Sequence, residues 1–288
     1  MIHTISDGKY TAKIDDFGAE LVSAVCDGFE LIWRGEEYWL RHAPILFPVC
    51  GRLKDKKYTL GGKEYTLDIH GFISKRNFEL VEKTATKIVL KSTSDEETRA
   101  AYPFDFTFIA EYELSDGKIF FRTKIKNESN ELMPFLFGWH PGFSYPDGVN
   151  SLEELTLDFC GKDEVNNHPI SVITSVSGYK ERLAIPDGKL HIDSKHLYEI
   201  DTIALSDTGN RVILTDGKDF NLKLSWSENL PFLCIWKFHD DGARYLCLEP
   251  WSNAPRDGEK TQNFDVRDMT RLNPHATEEF VYELELVK

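Results

Sequence analysis

Apolar and polar residues alternate with a period of two in several segments, which is typical of β-strands with one buried face. The clearest example is 106–114, FTFIAEYEL, which is followed by a turn containing Gly117 and by 118–126, KIFFRTKIK. Two alternating runs joined by a short turn predict a β-hairpin. The same pattern predicts further strands at 78–82, 87–92, 211–215, 220–226 and 280–286.

Helical periodicity is scarce, since no 12-residue segment carries a clear apolar stripe with a 3.6-residue period. Short helices are predicted only near 94–101 and 191–198. Many strands without intervening helices exclude a βαβ fold and favour an antiparallel sandwich or barrel. Because no linker composition and no fixed-period repeat interrupts the pattern, the sequence predicts one all-β domain over residues 1–288.

Composition and charge narrow the classes of partner. The chain has 34 Lys and Arg residues against 48 Asp and Glu residues, a formal net charge of −14, so we expect neither nucleic acid nor an anionic membrane as a partner. Residues 1–10 lack an apolar core of signal-peptide length, so we expect no signal peptide, and without a run of about 18 apolar residues we expect no membrane span. Nucleotide-binding motifs are also absent. We therefore expect a cytoplasmic monomer or homodimer that needs no cofactor.

The cysteines and histidines do not form a recognisable metal motif. Five cysteines are scattered without a CxxC pair, and we expect buried free thiols. His191 and His196 are five residues apart, a spacing that does not place them on one helix face. No metal site is therefore predicted.

Three short segments place an ionisable residue beside glycine or proline, where a strand is expected to end. They are 68–72, DIHGF, 137–143, FGWHPGF, and 246–251, LCLEPW. Strand ends that face a groove are common positions for functional residues.

Glu249 lies within an alternating run. A period of two turns Leu246 and Leu248 toward the core. The opposite face carries Tyr245, Cys247, Glu249 and Trp251. A carboxylate between aromatic residues could accept a hydroxyl proton from a sugar, or it could be a solvated glutamate on a sheet edge.

His140 follows the apolar run 133–139, and the next two residues, Pro141 and Gly142, are expected to end the strand and place the ring at a rim. It is either a core histidine or an acid–base group, with a usual pKa near 6.5 that leaves it partly protonated at neutral pH. His70 is a turn residue or a ligand-binding residue. Arg52, just after Gly51, is a surface charge or a fork of donors for hydroxyls or phosphate.

Taken in order, these segments resemble the aldose 1-epimerase (galactose mutarotase-like) family. The resemblance rests on Arg52 after glycine, then His-Gly-Phe at His70, Trp-His-Pro-Gly-Phe at His140 and Leu-Glu-Pro-Trp at Glu249. It extends from 14–21, IDDFGAEL, to the last strand, and is greatest for a bacterial branch whose sugar is often unassigned. It implies a large, twisted antiparallel β-sandwich with few short helices and a sugar on its concave face.

The resemblance also implies roles and a reaction, the interconversion of α and β anomers by ring opening and closure. Glu249 would be the general base on the anomeric hydroxyl, and His140 would be the general acid that protonates the ring oxygen. His70 would polarise the sugar, while Arg52 and, less distinctively, Asp201 would bind it.

The substrate and the function class stay open at this point. A phosphorylated aldose would need extra basic groups, for which the candidates are Lys54, Lys56, Lys57, Lys75 and Arg76, although a solvated loop is the favoured interpretation of this cluster. A non-catalytic carbohydrate-binding protein on the same fold is one alternative. A glycoside hydrolase or lyase is another, but it usually needs two carboxylates, and only Glu249 is a strong candidate.

Overall fold

The structure is a computed structural model that describes residues 1–170, 180–200, 202–254 and 262–287. Its first strands, numbered along the chain, are β1 (Ile2–Ser6), β2 (Tyr10–Asp15), β3 (Glu20–Cys26), β4 (Phe29–Glu30), β5 (Ile45–Leu46), β6 (Lys57–Leu60), β7 (Lys63–Thr66), β8 (Glu79–Lys83), β9 (Lys87–Thr93), β10 (Phe106–Ser115), β11 (Lys118–Asn127), β12 (Met133–Phe135), β13 (Gly138–Trp139) and β14 (Gly142–Ser144). The remaining strands are β15 (Thr156–Asp158), β16 (Glu164–Asn167), β17 (Glu181–Ala184), β18 (Lys189–His191), β19 (Thr202–Ser206), β20 (Arg211–Thr215), β21 (Asn221–Trp226), β22 (Phe232–Trp236), β23 (Tyr245–Trp251), β24 (Thr270–Leu272) and β25 (Thr277–Val287).

Helices are short in the part of the chain that the structure describes. The α-helices are α1 (Glu96–Ala101) and α2 (Ser194–Ile200), close to the two predicted positions. Asp95 caps α1 by accepting the backbone N–H of Thr98, whose hydroxyl accepts the backbone N–H of Asp95. Single turns of 3₁₀-helix occur at Lys54–Lys56, Ile73–Lys75, Leu152–Glu154 and Pro186–Gly188.

The larger sheet has nine antiparallel strands in the order β18-β15-β20-β21-β25-β11-β10-β9-β8. It contains the predicted hairpin, in which β10 pairs with β11 from Phe106↔Asn127 to Ser115↔Lys118. Every second residue of β10 is buried, and the residues between them are partly exposed. This sheet therefore has one face on the core and one in water, as the alternation predicted.

The second large sheet has eight strands and runs β17-β16-β19-β22-β23-β13-β5, with β14 also paired to β23. It packs on the nine-stranded sheet through aromatic rings: Phe137 lies 4.4 Å from Phe280, and Trp139 lies 5.0 Å from Phe121 and 5.3 Å from Tyr282 (ring centroids). The predicted antiparallel sandwich is confirmed.

Smaller sheets complete the structure: β1-β2-β3-β4, β6-β7 and β12-β24. The cysteines are free thiols, but Cys160 is exposed, which corrects the prediction that all five are buried. Cys160 lies in a bend two residues after β15, where its side chain is exposed. Among the described residues, no helix is long and apolar enough to span a membrane.

Candidate active site

The register around β23 brings His140 and Glu249 together. Gly138 of β13 pairs with Trp251, and Gly142 of β14 pairs with Cys247. Both pairs follow one antiparallel register, so His140, midway between the glycines, lies opposite Glu249, midway between their partners. The backbone N–H of Leu248 donates to the carbonyl of Pro141 at 3.4 Å in the same register.

The His140 and Glu249 side chains are in direct contact. The Nε2 atom of His140 lies 3.2 Å from Oε1 of Glu249. Glu249 is 1% exposed and His140 is 7% exposed. Glu249 is thus not a solvated edge residue, because β23 lies between β22 and the β13–β14 segment. The expected strand end near His140 is observed, since β13 ends at Trp139, but pairing with β23 resumes at Gly142 and the ring is buried instead of lying at a rim.

The two side chains lie in a cavity of about 460 Å³. Its floor is the face of the eight-stranded sheet that points away from the core. The floor residues, which alternate along β19, β22 and β23, are Thr202, Ala204, Cys234, Trp236, Glu249 and Trp251. Leu246 and Leu248 belong to the main core instead, so the predicted division of β23 into two faces is confirmed.

Aromatic rings surround His140 on several sides. Trp39 lies 5.0 Å from it at 30° to its plane, Trp236 lies at 5.6 Å, and His70 lies at 5.4 Å and perpendicular to it (ring centroids). Gly138 is required beneath Trp251, because a Cβ atom on Gly138 would lie 2.4 Å from the indole ring. Rings of this kind present apolar faces that suit the C–H groups of a sugar.

His70 is held by the chain that follows β5. Its backbone N–H donates to the carbonyl of Gly51, and Nδ1 of its ring accepts the backbone N–H of Gly51 at 3.1 Å. The next residue, Gly71, has φ +73°, and a Cβ atom there would lie 2.2 Å from the carbonyl oxygen of Phe47. The His-Gly-Phe sequence therefore forms a turn that packs closely against the backbone at Phe47. Because Nδ1 accepts a hydrogen bond, the proton of neutral His70 is on Nε2, which is a donor.

The histidine pKa values differ from the sequence expectation. Burial lowers the pKa of His70 to about 3, and Arg52, Arg41 and Lys75 contribute in the same direction. Burial also lowers the pKa of His140 well below its usual range, with a further contribution from His70. The expectation of a partly protonated histidine at neutral pH is thus corrected for the unliganded site, because both rings are shielded from water.

The remaining predicted site residues have different outcomes. Arg52 lines the cavity and is exposed. Asp201 lies outside the described residues. Of the five basic candidates for a phosphate, Lys75 lines the cavity. The ion pairs of three others are Lys56 with Asp68, Lys57 with Glu64, and Arg76 with Asp95 and Glu97.

One group of three potential metal-ligating atoms occurs among the described residues. It consists of a ring nitrogen of His140, the thiol of Cys247 and a carboxylate oxygen of Glu249, all within 4.8 Å of one another. Protein zinc sites use four such ligands, or three and a water. The absence of a metal therefore stays a prediction.

Comparison with known proteins assigns the chain to a family. Residues 1–283 match the family described as Aldose 1-epimerase. The chain belongs to the aldose 1-epimerase family. It is 24% identical to Protein LacX (chromosomal) of Lactococcus lactis subsp. lactis, with 96% of each chain covered.

Solved structures of similar chains agree with this assignment. A galactose mutarotase related enzyme from Lactobacillus acidophilus is 29% identical with a TM-score of 0.91, covering 100% of this chain and 98% of that one. A galactose mutarotase-like protein from Lactobacillus casei ATCC 334 is 26% identical with a TM-score of 0.92, and both chains are covered completely.

Several residues around the family's motifs were missed by sequence reasoning. Trp39 and Arg41 lie in segment 31–44, which has no regular secondary structure, so no periodicity indicates which way their side chains point. Trp236 had a usable signal: β22 pairs with β23, and a period of two along FLCIW places Cys234 and Trp236 on the same face as Glu249.

Proposed function

We propose that this chain interconverts the α and β anomers of an aldose by acid–base catalysis, with Glu249 as general base and His140 as general acid. The observation that carries the proposal is the contact between these two buried side chains on the floor of a cavity lined by aromatic rings. The membership of the aldose 1-epimerase family supports it.

The proton transfers follow from these roles. The Glu249 carboxylate takes the proton of the anomeric hydroxyl. His140, in the imidazolium form that its lowered pKa makes the minor form at neutral pH, gives a proton to the ring oxygen while the bond from the anomeric carbon to that oxygen breaks. The resulting aldehyde turns about its C1–C2 bond, and the reverse transfers close the ring on the other face. Ring closure returns the proton of Glu249 to the anomeric oxygen and the proton of the ring hydroxyl to His140, so both groups regain their starting protonation states for either anomer.

Two further residues complete the proposed site: Arg52 and His70, whose ring is neutral. With Nδ1 of His70 occupied by the Gly51 N–H, Nε2 is a hydrogen-bond donor for a sugar oxygen. The guanidinium of Arg52 provides donors at the exposed mouth of the cavity. Neither residue needs to gain or lose a proton in the reaction.

The hydrolase alternative is less consistent with the cavity. Retaining and inverting glycosidases usually place two carboxylates about 5 to 9.5 Å apart. Glu249 is the one carboxylate among the described residues that line this cavity. The cavity therefore supplies an imidazole–carboxylate pair rather than two carboxylates.

Polarimetry on freshly dissolved α-anomers of glucose, galactose and glucose 6-phosphate tests the proposal, near neutral pH in a weakly catalytic buffer. We expect the protein to accelerate anomer exchange for at least one of them. The Glu249→Gln variant should lose about 10²- to 10⁴-fold of that activity while still binding the sugar in calorimetry. Glu283→Gln, which alters a glutamate in an ion pair with Lys118 on the nine-stranded sheet, is the matched control and should retain activity.

Two results would overturn the proposal. Full activity in Glu249→Gln would remove the general base from the mechanism. Saturable sugar binding by the natural chain without faster anomer exchange would identify a carbohydrate-binding protein instead.

A further inference from the structure

Part of the cavity wall is formed by the segment 38–44, which contains no strand or helix. The backbone of this segment is hydrogen-bonded to the chain around the proposed acid. The carbonyl of Pro44 accepts the backbone N–H of His140 at 3.0 Å. The carbonyl of His42 accepts the backbone N–H of Gly142 at 2.8 Å. A group that holds this segment in place therefore also affects the position of His140.

The group that holds the segment is the carboxylate of Glu20, the first residue of β3, which is 5% exposed. Its Oε1 atom accepts the backbone N–H of His42 at 2.7 Å and that of Ala43 at 3.1 Å. Burial opposes the ionisation of this carboxyl, but hydrogen bonds from His42 and the charge of Arg41 outweigh burial and keep the pKa of Glu20 below its ordinary value. Glu20 is therefore a buried anion whose charge is compensated by the wall segment.

Arg41 supplies the compensating charge, and its guanidinium is held along one edge. Nη2 donates to Oε2 of Glu20 at 2.8 Å and to the carbonyl of Ser74 at 3.3 Å, and Nε donates to Oε2 of Glu20 at 3.1 Å. A guanidinium has five N–H donors in a rigid, planar fork. Three of them are used in these bonds, and within the described part of the chain Nη1 donates to no other residue. The two N–H groups of Nη1 are thus available to a ligand.

Arg41 reaches the cavity, whereas its partner does not. Arg41 is among the lining residues, and its side chain is 30% exposed against 6% for that of Glu20. Burial is the largest cause of the lowered pKa values of His70 and His140, and the charge of Arg41 contributes to both. The guanidinium therefore lies near the two histidines at the floor, within the space that a bound sugar would occupy.

We propose that Arg41 binds the sugar by donating from Nη1 to one of its hydroxyl oxygens, and that Glu20 is the positioning residue that holds Arg41 for this contact. This inference rests on the proposed function, because it takes the ligand of the cavity to be an aldose.

Two physical reasons favour this pair of roles. The charge of Arg41 is already balanced by Glu20, so its free donors suit a neutral hydroxyl and do not require an anionic ligand. The guanidinium is also fixed before the sugar arrives, so little conformational freedom is lost on binding. A hydrogen bond from a charged donor is stronger than one between neutral groups.

The first experiment replaces Arg41 and follows KM and kcat of anomer exchange on glucose and galactose. Arg41→Lys keeps a cation for Glu20 but removes the fork, and Arg41→Met removes the charge as well. Both should raise KM about 10- to 100-fold, the range of one hydrogen bond to a charged group. The effect on kcat should be much smaller, because the contact is made with the substrate before any bond breaks. Circular dichroism checks that each variant is folded.

A double-mutant cycle tests the positioning role. Glu20→Gln should also raise KM, because a neutral amide cannot hold both the backbone N–H groups and the guanidinium. In the Arg41→Met background, where no guanidinium is left to position, Glu20→Gln should have little further effect on KM. An equal effect of Glu20→Gln in both backgrounds would assign it a structural role only and overturn this part of the inference.

Two variants away from the cavity are the matched controls. Glu30, in the same four-stranded sheet, accepts the backbone N–H of Ala24 at 2.7 Å but does not line the cavity. Arg244 likewise donates to the carbonyl of Val149 outside the cavity lining. Glu30→Gln and Arg244→Met should leave KM within about twofold of the natural chain. A rise in KM in these controls equal to that in the Arg41 and Glu20 variants would overturn the inference.

A binding experiment separates this inference from catalysis. 1,5-Anhydroglucitol and 1,5-anhydrogalactitol have no anomeric hydroxyl and cannot be turned over. Calorimetry should show that Arg41→Lys and Arg41→Met bind the better of the two more weakly, by the same factor as the rise in KM. Anomer exchange with KM and analogue binding unchanged in both Arg41 variants would reject the inference and leave the proposed function intact. Analogue binding that depends on Arg41, without anomer exchange on any sugar, would support the inference and reject catalysis.

Discussion

Glu249 and Glu283 are the same residue type in two long strands of one sandwich, yet their surroundings are opposite. Glu283 lies on the solvent face of β25, pairs with Lys118 at 2.9 Å and is 35% exposed in its side chain. Glu249 lies in β23, in which every residue is buried, and contacts His140. The neighbours Leu284 and Leu248 both belong to the main core.

The difference between the two strands comes from what covers the second face of each sheet. The nine-stranded sheet leaves that face to water, where a carboxylate stays hydrated. The eight-stranded sheet is covered by the chain between residues 38 and 75, which encloses a cavity instead of packing flat. Burying a carboxylate is costly unless a partner compensates it, so the buried imidazole–carboxylate pair of His140 and Glu249 indicates chemistry rather than stability.

The largest expected effect of breaking this arrangement is on catalysis at His140. His140→Asn should reduce kcat about 10²- to 10⁴-fold, because asparagine cannot deliver a proton to the ring oxygen. Polarimetry or NMR exchange on the preferred sugar measures the loss. His275→Asn is the control: His275 is an exposed residue with φ +60°, a conformation that asparagine tolerates. Activity of His140→Asn within a few-fold of the natural chain would exclude His140 as the acid.

The second prediction concerns stability on the two faces of each strand. Leu248→Ala and Leu284→Ala should each lower the free energy of unfolding by about 2–5 kcal/mol, since both remove core packing. Cys247→Ser should cost about 1–3 kcal/mol, because a buried hydroxyl replaces a thiol, whereas Glu283→Ala should cost less than about 1 kcal/mol. Denaturant unfolding monitored by circular dichroism measures all four.

The pattern within each strand is the decisive result. Both positions in β23 should be sensitive, but only one of the two in β25. An equally small effect at Cys247 and Glu283 would mean that the cavity face of the eight-stranded sheet is solvated like the outer face of the other sheet.

The same difference explains how much of the molecule could be predicted from its sequence. Strands β10, β11 and β25 alternate cleanly because one face meets water, and their positions follow from the pattern. Strand β13 has two residues and β5 has two, too few for any period to appear. Sheet membership there is set by pairing with distant partners, which a local pattern does not contain.

The site could be predicted only in part, because its contacts also depend on pairing between distant segments. Glu249 and His140 stand out as ionisable residues in apolar runs, but their contact depends on the register between Gly138–Gly142 and Cys247–Trp251. The burial that lowers the pKa of His140 depends on Trp39, which comes from a segment without periodicity. Local sequence shows which residues are unusual, and long-range packing decides their state.

The third prediction uses that pKa. The pKa of His140 in the free enzyme is lowered below its usual value near 6.5, so the acid form is lost as pH rises through a value below 6.5. The descending limb of kcat/KM against pH should therefore lie below pH 6.5, with about a tenfold fall per pH unit beyond it. Stopped-flow polarimetry across pH 4 to 8, corrected for buffer catalysis, measures the limb. A descending limb near or above pH 7 would show that His140 is not the acid in the state described.

The smallest effect is expected on the solvent face of the nine-stranded sheet. Arg122 donates to Glu113 at 2.6 Å and to Glu111 at 3.3 Å, and its guanidinium lies 4.6 Å from the ring centroid of Phe120. Arg122→Met keeps an apolar side chain over Phe120 and removes the charge. Partly exposed ion pairs contribute little, so the free energy of unfolding should fall by about 0.2–1 kcal/mol, and by less at high salt.

Catalysis should be unchanged in Arg122→Met. The ion pairs of Arg122 lie on the solvent face of the nine-stranded sheet, and the core lies between this sheet and the cavity. Denaturant unfolding at low and high salt, with the polarimetric assay alongside, measures both quantities. A loss above about 2 kcal/mol, or a change in kcat, would show that the solvent face is coupled to the site. Glu283 and Glu249 would then differ only in their degree of exposure. The solvated face of the nine-stranded sheet would not be independent of the enclosed face of the eight-stranded sheet.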